Sequence, residues 1–352
     1  MKDVLNLLIT SVGRRSYIVE YFKAAIGGRG EVHAANSVMT YAMQLADHAV
    51  VTPMIYAEGY IDTLLSYCRD WRIDAVLSLL DIDIPILAAN RDRFRETGVA
   101  ALVPSSETAL ICNDKWRTAG FLRGQGIKTP ASFLTLGNCR QALASGEVDF
   151  PLVVKPRWGM GSIGIFHAEN AEELDVFYEK TKREIGRSYL KYESRQDLEH
   201  CVIIQQKLAG EEYGLNVLND LDGRFLTCVP MKKLAMRAGE TDAAEIVADH
   251  ELQRLGRKLS ESLGHVGNLD VDCFRAEGAC CVLELNCRFG GQYPFVHLAG
   301  GDFPGALVAM LRHETVPARM LVARPGVIGY KDLRPVVLHR SDPGGGSTSP
   351  RP

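Results

Sequence analysis

The hydrophobic pattern changes period partway along the chain, and that change limits what the chain can fold into. Over the first hundred residues, short apolar runs alternate with amphipathic stretches: "VLNLLITS", "RSYIVEYFKAAIGG", "EVHAANS", "YIDTLLSYCRDW", "IDAVLSLL" and "DIPILAANRDRFRETG". Strands spaced by helices predict βαβ crossovers and a parallel, Rossmann-like sheet. From "FPLVVKPRWGMGSIGIFHA" onward the apolar runs come in pairs joined by turns, with helical stretches "AEELDVFYEKTKREIG" and "DHELQRLGRKLSESLG" between the groups. The second stretch carries Leu252, Leu255, Leu259 and Leu263 at helical spacing, with Asp249 as a cap and Gly264 at its end. The expected fold class is therefore α/β followed by α+β with antiparallel hairpins.

Composition narrows the function classes. The 352 residues are 46% hydrophobic, enough for a large core in two or three domains, and the formal net charge of -3 gives no basic excess for nucleic acid or an anionic membrane. The apolar start from Val4 to Ile9, broken by Asn6, is too short for a signal peptide, and no run reaches membrane-spanning length. Nine cysteines without a CxxC pair read as reduced core residues, with Cys280 and Cys281 at a strand edge. A cytoplasmic protein is expected.

"GMGSIG", residues 159 to 164, matches GxGxxG by letter and would suggest a nicotinamide-dependent oxidoreductase. That fingerprint needs a helix directly after the glycines, whereas "SIGIFHA" is a strand signal, which puts the glycines at a hairpin tip. A glycine-rich tip lets backbone N–H groups approach phosphate oxygens, and Lys155 stands just before it. A flexible turn beside a solvated lysine is the plainer reading. Further on, the polar link in "CVIIQQKLAGEEYGLNVL" joins two strands: Gln205, Gln206, Lys207 and Leu208 are placed to meet an adenine edge and Glu212 a ribose, or simply to meet solvent.

"GNLDVDCFRAEGACCVLELNCRFGG" reads as a two-stranded hairpin. By the strand period of two, Asp270 and Asp272 share a face of the first strand, and Glu284, Asn286 and Arg288 share a face of the second. Three carboxylates and an amide on one face repel unless a cation intervenes, and hard oxygen donors suit Mg²⁺ carrying nucleotide phosphates. The bland alternative is an exposed sheet face. In "KKLAMRAGETDAAEIV", Lys232, Lys233 and Arg237 make a cationic loop with Glu240 and Thr241 at its turn.

Taken together, Asp114-Lys115, "VVKPRWGMGSIG", "IIQQKLAGEEYGLNV", "MKKLAMRAGETDAAEIV" and "LDVDCF…LELNCRFGG" resemble the ATP-grasp superfamily in its carbamoyl-phosphate-synthase-like branch, over nearly the whole chain. The resemblance implies a Rossmann-like pre-ATP-grasp domain over 1–112, a small ATP-grasp subdomain with the glycine-rich loop over 113–198, and a C-terminal subdomain with the Mg-ATP site over 199–340. The tail 341–352, "SDPGGGSTSPRP", cannot bury a core and is expected to be disordered.

By the same resemblance, Lys115 and Lys155 would contact ATP phosphates, with Gly159, Gly161 and Ser162 in the loop that closes over them. The 205–208 link would hold adenine, although its two glutamines replace a commoner acidic residue, and Glu212 would hold the ribose. Asp272, Glu284 and Asn286 would bind Mg²⁺, and Arg288, with Lys233 and Arg237, would serve the transferred phosphoryl group. Substrate contacts are expected from Glu240 and Thr241 and, because ligands gather at the carboxyl ends of parallel strands, from Ser11, Gly13, Arg14 and Asp81. The implied activity is ATP-dependent carboxylate–amine ligation through an acyl phosphate. The rivals are the nicotinamide enzyme and a non-catalytic nucleotide sensor. The expected partners are a small-molecule carboxylate and amine, with a homodimer left open.

Overall fold

The computed structural model describes residues 4–159, 163–276 and 278–338. Among them, β1 (Leu7–Thr10), β2 (Val32–Asn36), β3 (His48–Val51), β4 (Ala75–Ser78) and β5 (Ala100–Ala101) form a parallel sheet in the order β3-β2-β1-β4-β5. Leu7 and Ile9 pack into one core while Leu8 packs into another. A sheet covered on both faces needs apolar residues at every position, which is why β1 reads as an unbroken run rather than an alternation.

A second, four-stranded sheet contains β6 (Ser132–Phe133), β7 (Leu152–Pro156), β8 (Phe166–Ala168) and β9 (Val202–Gln206), ordered β6-β9-β7-β8. β7 and β8 pair antiparallel, Leu152 opposite Ala168 and Val154 opposite Phe166. Among the described residues, the stretch from Ile163 leads into β8 without a helix. Because β9 pairs with β7, this sheet runs past the expected boundary at 198; the chain changes sheet between Gln206 and Glu211.

The third sheet has six strands: β10 (Glu211–Asn219), β11 (Phe225–Arg237), β12 (Glu240–Ile246), β13 (Gly267–Ala276), β14 (Ala279–Asn286) and β15 (Ile328–Tyr330), ordered β14-β13-β10-β11-β12-β15 and antiparallel throughout. The helix His250–Leu263 packs on it, capped as its sequence predicts: Asp249 accepts from the Leu252 amide and Gly264 closes the helix in the left-handed region.

One continuous core joins the parallel sheet to the six-stranded one. Phe22, from the helix Ser16–Ile26, meets Phe289 edge-on at 5.7 Å, and Tyr293, Phe303 and Leu307 bury in the same cluster. This shared core fixes the carboxyl ends of β1 and β4 against the end of β14. The nine cysteines are free, and Cys280 and Cys281 lie on β14, an edge strand. No helix among the described residues is long and apolar enough to cross a membrane. Glu277, Gly161, Ser162 and the 341–352 tail lie outside the described residues.

Candidate active site

The three sheets meet around a cavity of about 230 Å³. Its floor is the β13–β14 pair. Asp272 stands opposite Glu284 and Asp270 opposite Asn286, so the strand period places four oxygen-bearing side chains on one face. Leu285 and Cys287 turn the other way into the core. The pairing slips between Asp272 and Cys273, whose partner is Val282, so that Leu283 bulges out of the ladder. Bulges re-aim side chains, and this one lies beside the two facing carboxylates.

Each carboxylate of that facing pair holds a lysine. Lys115 Nζ lies 2.6 Å from Glu284 Oε1 and also donates to the Gly159 carbonyl at 2.7 Å. Lys233 Nζ bridges Asp272 Oδ1 at 2.6 Å and Glu212 Oε1 at 2.7 Å. Burial alone would raise the Glu284 pKa, but Lys115 and Lys155 outweigh it and pull it down to about 2. Lys233 moves the other way: burial opposes its charge, and Asp272 and Glu212 more than compensate, holding its pKa above the usual lysine range.

Lys115 opens the helix Lys115–Gly124, whose cap is Asp114. The Asp114 carboxylate also receives Arg157 through Nε at 2.8 Å and Nη2 at 2.7 Å, a buried two-point contact that ties this helix to the end of β7. Lys155, on β7, is buried but makes no hydrogen bond or ion pair among the described residues. Burial lowers its pKa; Glu284 resists and the neighbouring Lys115 adds to the fall, leaving it at about 8.

Arg288 is the most constrained member. Its Nη1 meets Asp270 Oδ2 at 2.9 Å and its Nη2 meets Asp81 Oδ2 at 2.8 Å, all three side chains nearly buried. Asn268 donates to the Arg288 carbonyl at 3.0 Å and fixes the turn. The glycine two residues on is required: a Cβ at Gly290 would fall on the Asp270 carboxylate. Asp270, which shares this face, thus serves Arg288. Burial and the adjacent Asp272 still hold its pKa above the ordinary range despite Arg288.

The parallel sheet contributes at its topological switch, between β1 and β4. Asp81 follows β4 and lines the cavity, as does Arg15 after β1, together with Glu240 and Thr241 from the β11–β12 turn. Arg15 Nη2 lies 4.0 Å from Glu240 Oε1, and Lys331 Nζ lies 3.4 Å from Glu240 Oε2.

Several expected residues are placed elsewhere. Arg14 points to solvent, whereas its neighbour Arg15, the residue just before the helix that begins at Ser16, takes the inward position and donates to the Leu79 carbonyl. Ser11 donates to the buried Asp83 at 3.0 Å, and the Gly13 amide donates to Asn36 at 3.3 Å, so both support the loop rather than line the cavity. Arg237 is exposed and paired with Asp242 on its own hairpin. Glu212 is engaged by Lys233. Gln205 is buried in β9 and donates to Ser132 at 2.8 Å, while Gln206 and Lys207 are exposed and Leu208 is half-buried. Arg15, Asp270's partnership, Tyr189 and Gln292 were not legible as site features; only the position of Arg15 just after an apolar strand hinted at one.

A buried ammonium that pairs with no described residue, beside a cationic neighbour, is suited to a polyanion. ATP binding should raise the Lys155 pKa and so draw in about half a proton at pH 8. Affinity should weaken above pH 8 by at most about tenfold per pH unit. Lys155→Ala should cost roughly 10- to 100-fold in affinity, as for one lost charged hydrogen bond, and abolish the proton uptake. Calorimetry in buffers of differing ionisation enthalpy reads both; pH-independent ATP affinity in the wild type would return Lys155 to a structural role.

Comparison with known proteins gives consistent findings. Residues 7–102 match the family described as PylC-like, N-terminal domain, and residues 112–292 match the ATP-grasp domain. The chain is 27% identical over 256 residues to a formate-dependent phosphoribosylglycinamide formyltransferase of Synechococcus sp. (strain RCC307), covering 70% of this chain and 60% of that protein's length. It is 25% identical over 276 residues to a D-alanine--D-alanine ligase of Marinomonas sp. (strain MWYL1), covering 70% and 82%. Among solved structures, the L-amino acid ligase from Bacillus licheniformis superposes with a TM-score of 0.69 at 19% identity, over 89% of this chain and 76% of that one. Biotin carboxylase from Campylobacter jejuni superposes with a TM-score of 0.71 at 14% identity, over 92% and 74%. At these identities the superpositions speak for the fold alone.

Proposed function

The chain belongs to the ATP-grasp family, and from that premise we propose that it is an ATP-dependent ligase that activates a small carboxylate as an acyl phosphate and joins it to an amine. The observation that carries this reading is the convergence of Lys115, Lys233 and Arg288 on a face bearing Asp272, Glu284 and Asn286. Such a face offers cations for phosphoryl oxygens and hard oxygen donors for Mg²⁺. No thiol or imidazole lines the cavity among the described residues, so the donor set fits Mg²⁺ rather than a softer metal.

Asp272, Glu284 and Asn286 are the residues that would hold Mg²⁺, which when bound neutralises phosphate charge as a Lewis acid. Lys115 and Lys233 are held against these carboxylates and are within reach of a nucleotide that displaces them. Lys155 stands ready for the phosphates. Arg288, clamped on two sides by Asp81 and Asp270, presents a preorganised guanidinium to the moving phosphoryl group and to the developing oxyanion. A carboxylate oxygen attacks the γ-phosphorus and ADP leaves; the amine nitrogen then attacks the acyl carbon, phosphate leaves, and the nitrogen gives up a proton. The chain supplies no covalent nucleophile in this scheme. Catalysis rests on charge and position.

The cavity and the two sequence relatives, a formate-dependent phosphoribosylglycinamide formyltransferase and a D-alanine--D-alanine ligase, support a small-molecule substrate. A cavity of about 230 Å³ lined by Arg15, Glu240 and Asp81 suits a small molecule carrying both charges, such as an amino acid. We assign the protein to the cytoplasm, where ATP and reduced cysteines coexist.

Incubation with ATP, Mg²⁺ and panels of amino acids and small carboxylates, followed by chromatography of the spent nucleotide, tests the proposal. ADP and phosphate should form in equal amounts and only when a carboxylate and an amine are both present. AMP and pyrophosphate as the main products would place attack at the α-phosphorus and overturn the acyl-phosphate scheme. NADH oxidation without ATP turnover would favour the nicotinamide reading, which the strand after "GMGSIG" already opposes.

A further inference from the structure

At the other end of the parallel sheet from the cavity, two histidines and a glutamate come together without serving the chemistry above. His33 is the second residue of β2 and His48 the first of β3, and the two are register partners on adjacent strands. Glu31 precedes His33 by two residues and therefore shares its face. Arg15 and Asp81 follow the carboxyl ends of β1 and β4, so this group lies at the opposite, amino-terminal edge.

We propose that Glu31, His33 and His48 form a binding site for a divalent transition-metal ion, zinc being the one their donors suit best. Glu31 Oε2 lies 3.3 Å from His48 Nε2 and 3.6 Å from His33 Nε2, and one ligand atom from each residue falls within 4.8 Å of the others. Tetrahedral zinc with bonds of about 2.0–2.1 Å separates its ligand atoms by about 3.3–3.4 Å, so the two measured spacings are already near the edge of that tetrahedron. Two imidazoles and a carboxylate are a common zinc donor set, with a fourth position left to water.

The burial of His33 provides an independent reason. The side chain is wholly buried and its Nε2 has no hydrogen-bond partner, although it points at Glu31 and His48. Its other nitrogen, Nδ1, is 2.9 Å from the Tyr67 hydroxyl. A ring anchored through one nitrogen, with the other buried and unpartnered, is the arrangement of a metal-ligating histidine, whose far nitrogen is held by a neighbouring polar group. The Trp71 ring lies 4.2 Å from that of His48 and 5.3 Å from that of His33, shielding the group from solvent on one side. A cation there would tie β2 to β3 and to the helix Tyr60–Asp70 that carries Tyr67.

The test uses the full chain, stripped with a chelator and dialysed against zinc in the presence of excess Mg²⁺ to occupy the carboxylates of the main cavity. Wild type should retain about one zinc per chain and melt at a higher temperature with zinc than without. Glu31→Gln and His48→Ala alter half-exposed side chains, so the metal-free variants should melt as wild type does; each should lose the zinc-dependent shift and bind at least about 10-fold more weakly. Cobalt should quench part of the tryptophan emission in wild type, and that part should be missing in a Trp71→Phe control. Absence of zinc uptake by the wild type, or retention of full stoichiometry by both variants, would overturn the proposal and leave a carboxylate shared between two imidazoles.

Discussion

Replacing Glu284 by glutamine should lower turnover by about 10²- to 10³-fold while leaving the fold intact. The amide keeps the size of the side chain and can still accept from Lys115, which lies 2.6 Å away, so packing is preserved. What is lost is a full negative charge that Lys115 and Lys155 hold ionised down to a pH of about 2. Without that charge the two lysines face each other unneutralised. The variant should therefore bind ATP in the absence of Mg²⁺ at least as well as wild type, yet lose the gain in affinity and rate that Mg²⁺ gives. Asp272→Asn should behave alike through Lys233, which would keep only Glu212 as a counter-charge. Wild-type rates at saturating Mg²⁺ in either purified variant would remove both residues from the metal assignment.

The largest effect on stability is expected at Arg288. Arg288→Met removes the shared partner of Asp81 and Asp270 and strands two buried carboxylates, which should cost about 3–5 kcal/mol in urea unfolding at neutral pH, with turnover lost as well. Burial and Asp272 already hold the Asp270 pKa above the carboxylate range, and removing the arginine pushes it further up. The folded variant then binds more protons than the unfolded chain, so its stability should rise as pH falls toward 5 and the deficit should narrow. Asp270→Asn added to Arg288→Met should recover part of the loss by removing one of the stranded charges. An Arg288→Met protein as stable as wild type at pH 7.5 would mean that the clamp adds nothing to the stability of the junction between the parallel sheet and β14.

Whatever depends on the local period of the backbone is legible in the residues alone. Strand alternation puts Asp270 with Asp272 on one face of β13 and Glu284 with Asn286 on one face of β14, because successive side chains point to opposite sides, whereas the slip at Leu283 brings the two pairs opposite each other. The Asp249 cap and Gly264 end of a helix, and the hairpin around the glycines, are settled within a few residues for the same reason. Tertiary structure decided who stands opposite whom. Asp81 and Arg288 are 207 positions apart, and nothing local announces that the carboxyl end of β4 will meet the end of β14; the shared core around Phe22, Phe289 and Tyr293 brings them together. That Arg15 rather than Arg14 lines the cavity depends on how the chain turns between β1 and the helix at Ser16, which the motif "GRRS" leaves open. Glu212, expected at a ribose, is held by Lys233 because β10 and β11 are hydrogen-bonded neighbours, and Asp270 faces Arg288 because Gly290 lets the chain pass close. Period is a property of the backbone, whereas the pairing of charges follows from how three sheets close on one another.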